Sequence, residues 1–136
     1  MKKQKIKIIL VDDHKFFRGS IVNLMKRYKQ IEIVGEADNG EEYLQRIESF
    51  LPDIALMDLK MNKTDGIETT RISTQIHPEI KIIALTFEKG KECIHDLIQA
   101  GVKGILQKDA SIKEIVTAII AVHNGENYFA KNSIKV

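Results

Sequence analysis

The chain has 136 residues, 43% of them hydrophobic and 29% charged, with 21 basic against 19 acidic side chains and a net charge of +2. That is enough for one domain with a full core, it is neither a disordered nor a fibrous composition, and its even spread of charge gives no footprint for nucleic acid. The single cysteine, Cys93, cannot close an internal disulfide, which fits a reducing cytoplasm, and no apolar run approaches the roughly 20 residues of a membrane span.

The first predicted element is a strand, "IKIILV" at 6–11, whose apolar run is cut by Asp12 and Asp13 too early for a secretion signal. Phe17, Ile21, Leu24 and Tyr28 then recur at steps of three and four, which predicts a helix burying that face. "IEIVGE" (31–36) reads as the second strand. Tyr43, Leu44 and Ile47, with Phe50 or Leu51, mark a second helix that Pro52 prevents from continuing. "DIALMD" (53–58) is the third strand, after which Asp65 and Gly66 turn the chain into a helix running to about His77, ahead of Pro78. "KIIALT" (81–86) is the fourth strand, and Ile94, Leu97 and Ile98 form a helical face before Gly101, a C-terminal cap. "VKGILQK" (102–108) is the fifth strand. Ser111 and Glu114, at capping-box spacing, open a last helix whose apolar face is Ile112, Ile115, Val116, Ile119 and Ile120, ending near Gly125.

Strands alternating five times with helices predict a doubly wound α/β fold, a parallel sheet covered on both faces. In such sheets ligands bind outside the carboxyl ends of the strands. Those ends hold Asp12 and Asp13, Asp58, Thr86 and Lys108. Carboxylates converging there repel one another, and a hard divalent cation such as Mg²⁺, which takes oxygen ligands and phosphate oxygens, relieves that repulsion. A lysine and a threonine hydroxyl beside it complete a site for a phosphoryl group. His14, next to the acidic pair, reads either as a surface residue at a helix start or as a contributor to the site. Cys93, His77, His95 and His123 read as structural or surface residues, and Gly101 and Gly104 as backbone devices. A nucleotide-binding enzyme is disfavoured because neither G-x-G-x-x-G nor a P-loop motif follows any strand. An aspartyl-nucleophile phosphatase is disfavoured because Asp58 lies on the third strand and is followed by Leu59 and Lys60.

"ILVDDH", "LMDLKM…DG", "ALT" and "LQKDA", in that order, resemble the receiver domain of bacterial two-component response regulators, and the resemblance covers essentially the whole chain. The segment "AGVKGILQKDASIKEIVTAIIAVHNGENYFA" is most similar to the NarL/FixJ (LuxR-type) subgroup. The resemblance implies a flavodoxin-like sheet of five strands in the order 2-1-3-4-5 with five helices, residues 1–126 being the receiver and 127–136 a tail or the start of a linker. It implies that Asp58 accepts a phosphoryl group from a sensor histidine kinase, in a signalling domain that assists its own phosphorylation and dephosphorylation without being an enzyme. Asp13 and Asp58 are then Mg²⁺ ligands with the backbone carbonyl of Lys60, and Asp12 acts through water. Lys108 and the backbone amide of Phe87 bind phosphoryl oxygens, and Thr86 turns toward the modified aspartate.

Three residues depart from the family's pattern. Asn62 stands where proline usually stiffens the loop after the acceptor, Phe87 stands where a small residue is preferred, and Ile105 replaces the aromatic switch residue of the fifth strand. The alternative that Phe87 and Asn62 support is a receiver-like module acting through protein contacts without phosphate turnover, while Ile105 bears on the coupling of the switch to Thr86. The chain reaches "KNSIKV" about where the linker of a NarL-type regulator begins. Two expectations stay open: a receiver that controls transcription through a helix-turn-helix domain, or one that stands alone. Expected partners are the kinase and, across the face of the fourth helix, fifth strand and fifth helix, either a second receiver or the output domain. Direct nucleic-acid and membrane binding by this chain are not expected.

Overall fold

The computed structural model describes residues 5–59, 63–86 and 91–129. In chain order the elements are β1 (Ile6–Val11), α1 (Lys15–Met25), β2 (Ile31–Ala37), α2 (Gly40–Phe50), β3 (Ile54–Asp58), α3 (Lys63–Ile76), β4 (Lys81–Thr86), α4 (Lys91–Ala100), β5 (Gly104–Gln107), α5 (Ile112–His123) and β6 (Tyr128–Phe129). The strands form one parallel sheet in the order β2-β1-β3-β4-β5-β6. The five expected strands are in the expected order, and a short sixth is added at the β5 edge.

Side chains one apart on a strand point to opposite faces, so the apolar strands feed two cores at once. Ile8, Leu10, Leu56, Ile83, Leu85 and Leu106 face α1 and α5, meeting Ile21, Met25, Ile115, Ile119 and Val122. Ile9, Val11, Met57, Ile82, Ala84 and Ile105 face the other way, onto Tyr43 and Ile47 of α2 and Ile94 and Leu97 of α4. Each such fully buried Ile, Leu, Val or Met side chain contributes about 1.5–3 kcal/mol, and this continuous burial holds the strand ends in fixed register. No helix among the described residues is long and apolar enough to cross a membrane.

Several local expectations are adjusted. In α1 the four-residue step from Ile21 lands on Met25, which is buried, while Leu24 turns outward and Tyr28 lies beyond the helix end. α2 stops at Leu51, a left-handed cap with φ 45° whose N–H still reaches the Ile47 carbonyl; this side chain is exposed, as are parts of Phe50. Asp65 and Gly66, expected to turn the chain into the third helix, lie inside α3. Gly66 serves packing there, because a Cβ at that position comes within 2.4 Å of Leu59 Cδ2. Gly101, with φ +112°, caps α4 as expected, its N–H bonding the Leu97 carbonyl. Ser111 caps α5 by accepting from the Glu114 N–H at 3.1 Å, while the Glu114 carboxylate accepts from the Tyr128 hydroxyl at 3.2 Å and so ties β6 to α5. Tyr128 and Phe129, expected in the tail, enter the sheet because one ring packs on each core.

Candidate functional site

The parallel register brings the strand ends to one edge. Val11 pairs with Met57, so Asp12 and Asp58 emerge side by side from β1 and β3. Asp12 N–H is fixed to the Ala37 carbonyl at 3.0 Å, and Leu59 N–H to the Leu85 carbonyl at 3.0 Å, which keeps both carboxylates over the sheet. Lys108 N–H bonds the Thr86 carbonyl at 3.0 Å, aligning the residue after β5 with the end of β4.

From these positions Asp12, Asp13 and Asp58 each offer a carboxylate oxygen within 4.8 Å of the others. The Lys108 ammonium lies 2.9 Å from Asp12 Oδ2 and 2.5 Å from Asp58 Oδ2. Asp12, Asp58 and Lys108 are buried, whereas Asp13 is exposed and opens the cluster to solvent. Three carboxylates against one ammonium leave two negative charges uncompensated. An all-oxygen donor set with a surplus of two negative charges and one open side fits a hard divalent cation that keeps part of its water shell. Thr86 ends β4, buried and in register with Gln107.

The first turn of α1 is built into this cluster. His14 is the N-cap: its Nδ1 accepts from the Phe17 N–H at 3.3 Å, and its own N–H donates to Asp12 Oδ1 at 2.8 Å. The structure therefore uses His14 to orient Asp12 and start the helix. Arg18 donates from Nη1 to the Asp12 carbonyl at 2.6 Å and to Asp38 Oδ1 at 2.5 Å, and from Nε to Glu36 Oε1 at 2.8 Å, clamping the end of β1 to that of β2. The hydrogen bond from Arg18 holds the Asp38 carboxyl below its ordinary pKa. The Phe17 ring lies under the lysine, 4.1 Å from its ammonium.

The sequence-derived site residues Asp12, Asp13, Asp58 and Lys108 are thus brought together, with Thr86 at the adjoining strand end. Ile105 is fully buried on β5 within the core shared with α4. Lys60 and Phe87, and with them Asn62, lie outside the described residues. Phe17 and Arg18 were missed as site residues. Phe17 carries a core-like periodicity, and the partners of Arg18 at the end of β2 are set by the fold alone.

A parallel sheet in this order, with carboxylates ending β1 and β3 and a lysine following β5, defines a flavodoxin-like domain with a polar site at its strand ends. The response regulator receiver domain family matches residues 8–120, and the chain belongs to it. It is 38% identical over 125 residues to the response regulator GacA of Pseudomonas syringae pv. syringae (strain B728a), covering 92% of this chain and 58% of that protein. It is 34% identical over 120 residues to the transcriptional regulatory protein LnrK of Bacillus subtilis (strain 168), covering 88% and 54%. Among solved structures, a LuxR-family two-component response regulator from Aurantimonas sp. SI85-9A1 superposes with a TM-score of 0.88 at 29% identity, covering 96% of this chain and 93% of that one. The signal receiver domain of NarL from Mycobacterium tuberculosis gives 0.85 at 28%, covering 91% and 100%. The NarL and LuxR-family neighbours agree with the NarL/FixJ resemblance read from the sequence. The chain spans little more than half the length of the curated relatives it matches.

Proposed function

We propose that Asp58 is the phosphoacceptor of this receiver domain, taking a phosphoryl group from a phosphohistidine of a sensor kinase. The observation that carries the reading is the Asp58 carboxylate in contact with Lys108 beside Asp12 and Asp13. An Asp58 oxygen forms the new P–O bond as the P–N bond to the donor imidazole breaks, and the imidazole departs with the electron pair. Such a transfer passes through a loose transition state, so the protein's part is to position groups and balance charge. Asp13 and Asp58, with the Lys60 carbonyl and Asp12 through water, are the residues to hold Mg²⁺. When bound, that ion neutralises charge on the phosphoryl oxygens. Lys108 exchanges its carboxylate contact for a phosphoryl oxygen, assisted by the Phe87 amide, and Asp12 keeps the lysine over the site.

The modified aspartate carries added negative charge, and the Thr86 hydroxyl turns toward it. That movement alters the face of α4, β5 and α5, which meets a second receiver or an output domain that controls transcription. Ile105 lies in the core, so the switch depends on Thr86 and on the packing around β5. The domain assists both its own phosphorylation and the reverse hydrolysis, and the expected setting is the cytoplasm.

The test is incubation with Mg²⁺ and acetyl phosphate followed by intact mass measurement. Wild type gains one phosphoryl group and Asp58→Asn gains none. A folded wild type that gains none favours a module acting through protein contacts alone.

A further inference from the structure

We propose that Phe17 is a positioning residue for Lys108: the face of its ring holds the ammonium against Asp12 and Asp58 and so sets how fast Asp58 is modified. The inference deepens the phosphoacceptor reading and rests on it.

A lysine ammonium has three N–H donors on a flexible stem. Here two directions are taken by Asp12 Oδ2 at 2.9 Å and Asp58 Oδ2 at 2.5 Å, and a third side meets the Phe17 ring centroid at 4.1 Å. That distance is well inside the reach of a cation–π contact, and such contacts strengthen as the cation is desolvated. Lys108 is desolvated, with 7% of its side chain exposed.

The ring is itself held from two sides. Its backbone N–H is fixed to His14 Nδ1, and its side chain packs against the core between α1 and the sheet. Because His14 N–H also bonds Asp12 Oδ1, the contacts close a circuit from Asp12 through His14, Phe17 and Lys108 back to Asp12. A leucine at position 17 fills the same kind of apolar space but presents no negative face, leaving the ammonium free to swing toward water. With the ring in place, the positive charge already stands where negative charge gathers on a transferring phosphoryl group, and no reorganisation is needed at that moment.

The test compares wild type, Phe17→Leu and Phe17→Tyr, after thermal melts establish that each is folded. Ring currents shift the Lys108 εCH₂ protons upfield of ordinary lysines in wild type and in Phe17→Tyr, and the shift returns to the ordinary range in Phe17→Leu. With acetyl phosphate and Mg²⁺, Phe17→Leu gains its phosphoryl group about fivefold more slowly, and Phe17→Tyr recovers the wild-type rate. An ordinary Lys108 shift in wild type, or a wild-type rate in Phe17→Leu, overturns the proposal. A wild type that gains no phosphoryl group while its Lys108 protons stay upfield sinks the phosphoacceptor reading but leaves the hold of the ring on the lysine standing.

Discussion

Lys108 reaches across β4 to Asp58: the lysine follows β5, the aspartate ends β3, and the strand between them separates their backbones, yet ammonium and carboxylate stand 2.5 Å apart. The same ammonium continues to Asp12, which follows β1. One side chain therefore ties together three strand ends, and it does so where taking the charges out of water is costly unless they are paired.

Removing that pairing has a measurable consequence. Lys108→Met leaves two buried carboxylates facing each other, and breaking a buried pair in this way costs about 3 kcal/mol. Urea unfolding without divalent cations is expected to show this loss. Adding Mg²⁺ is expected to recover part of it, because the cation supplies the missing positive charge.

The acidic cluster predicts stabilisation of the wild type by metal. Mg²⁺ at about 100 times its dissociation constant raises the unfolding free energy by about 2.7 kcal/mol, and a chelator reverses the gain. Asp13→Asn, which removes the exposed carboxylate of the cluster, is expected to lose most of that response in thermal melts while keeping its metal-free stability.

At the opposite end of the sheet, His77 joins α2 to the end of α3. Its Nε2 lies 2.8 Å from Glu48 and its Nδ1 3.0 Å from Glu79, and hydrogen bonding to Glu48 and then to Glu79 raises its pKa above 6.5. The Glu79 carboxyl is lowered, by a backbone hydrogen bond and by His77. A raised histidine stabilises the fold fully below its unfolded pKa and loses that contribution as pH rises through the folded value. His77→Gln is therefore expected to melt below wild type near pH 6 and together with it at pH 9, with the difference reduced at high salt.

Gly40 tests packing against helix propensity. It opens α2, where alanine ordinarily gains about 0.5–1 kcal/mol. A Cβ there meets Thr69 Oγ1 at 2.0 Å and Thr69 Cβ at 3.0 Å, and the buried, branched Thr69 has little room to yield. Gly40→Ala is expected to destabilise by about 1–3 kcal/mol, and equilibrium denaturation reads the sign.

The sheet was legible because its strands are short apolar runs at even spacing, and register then follows from burial on both faces. Asp12, Asp13, Asp58 and Lys108 were legible for a related reason: each stands where an apolar run ends, and a parallel sheet collects such ends. Helix boundaries were less so. Leu24 and Met25 are both apolar, and only the rotation of α1 on the sheet decides which is buried. Tyr128 and Phe129 carry a two-residue signal too short for periodicity, and their place in the sheet comes from rings reaching both cores. Phe17 and Arg18 escaped because their roles depend on partners far along the chain, Lys108 in one case and Glu36 and Asp38 in the other.

The central claim is that Asp58 carries the phosphoryl group. Borohydride reduces an acyl phosphate to an alcohol, so treatment after incubation with acetyl phosphate and Mg²⁺ converts the modified aspartate to homoserine, and peptide mass mapping then locates it. The account predicts homoserine at position 58 in wild type and at no position without the phosphodonor. Conversion at Asp12 or Asp13, or none in a protein that remains folded, contradicts it.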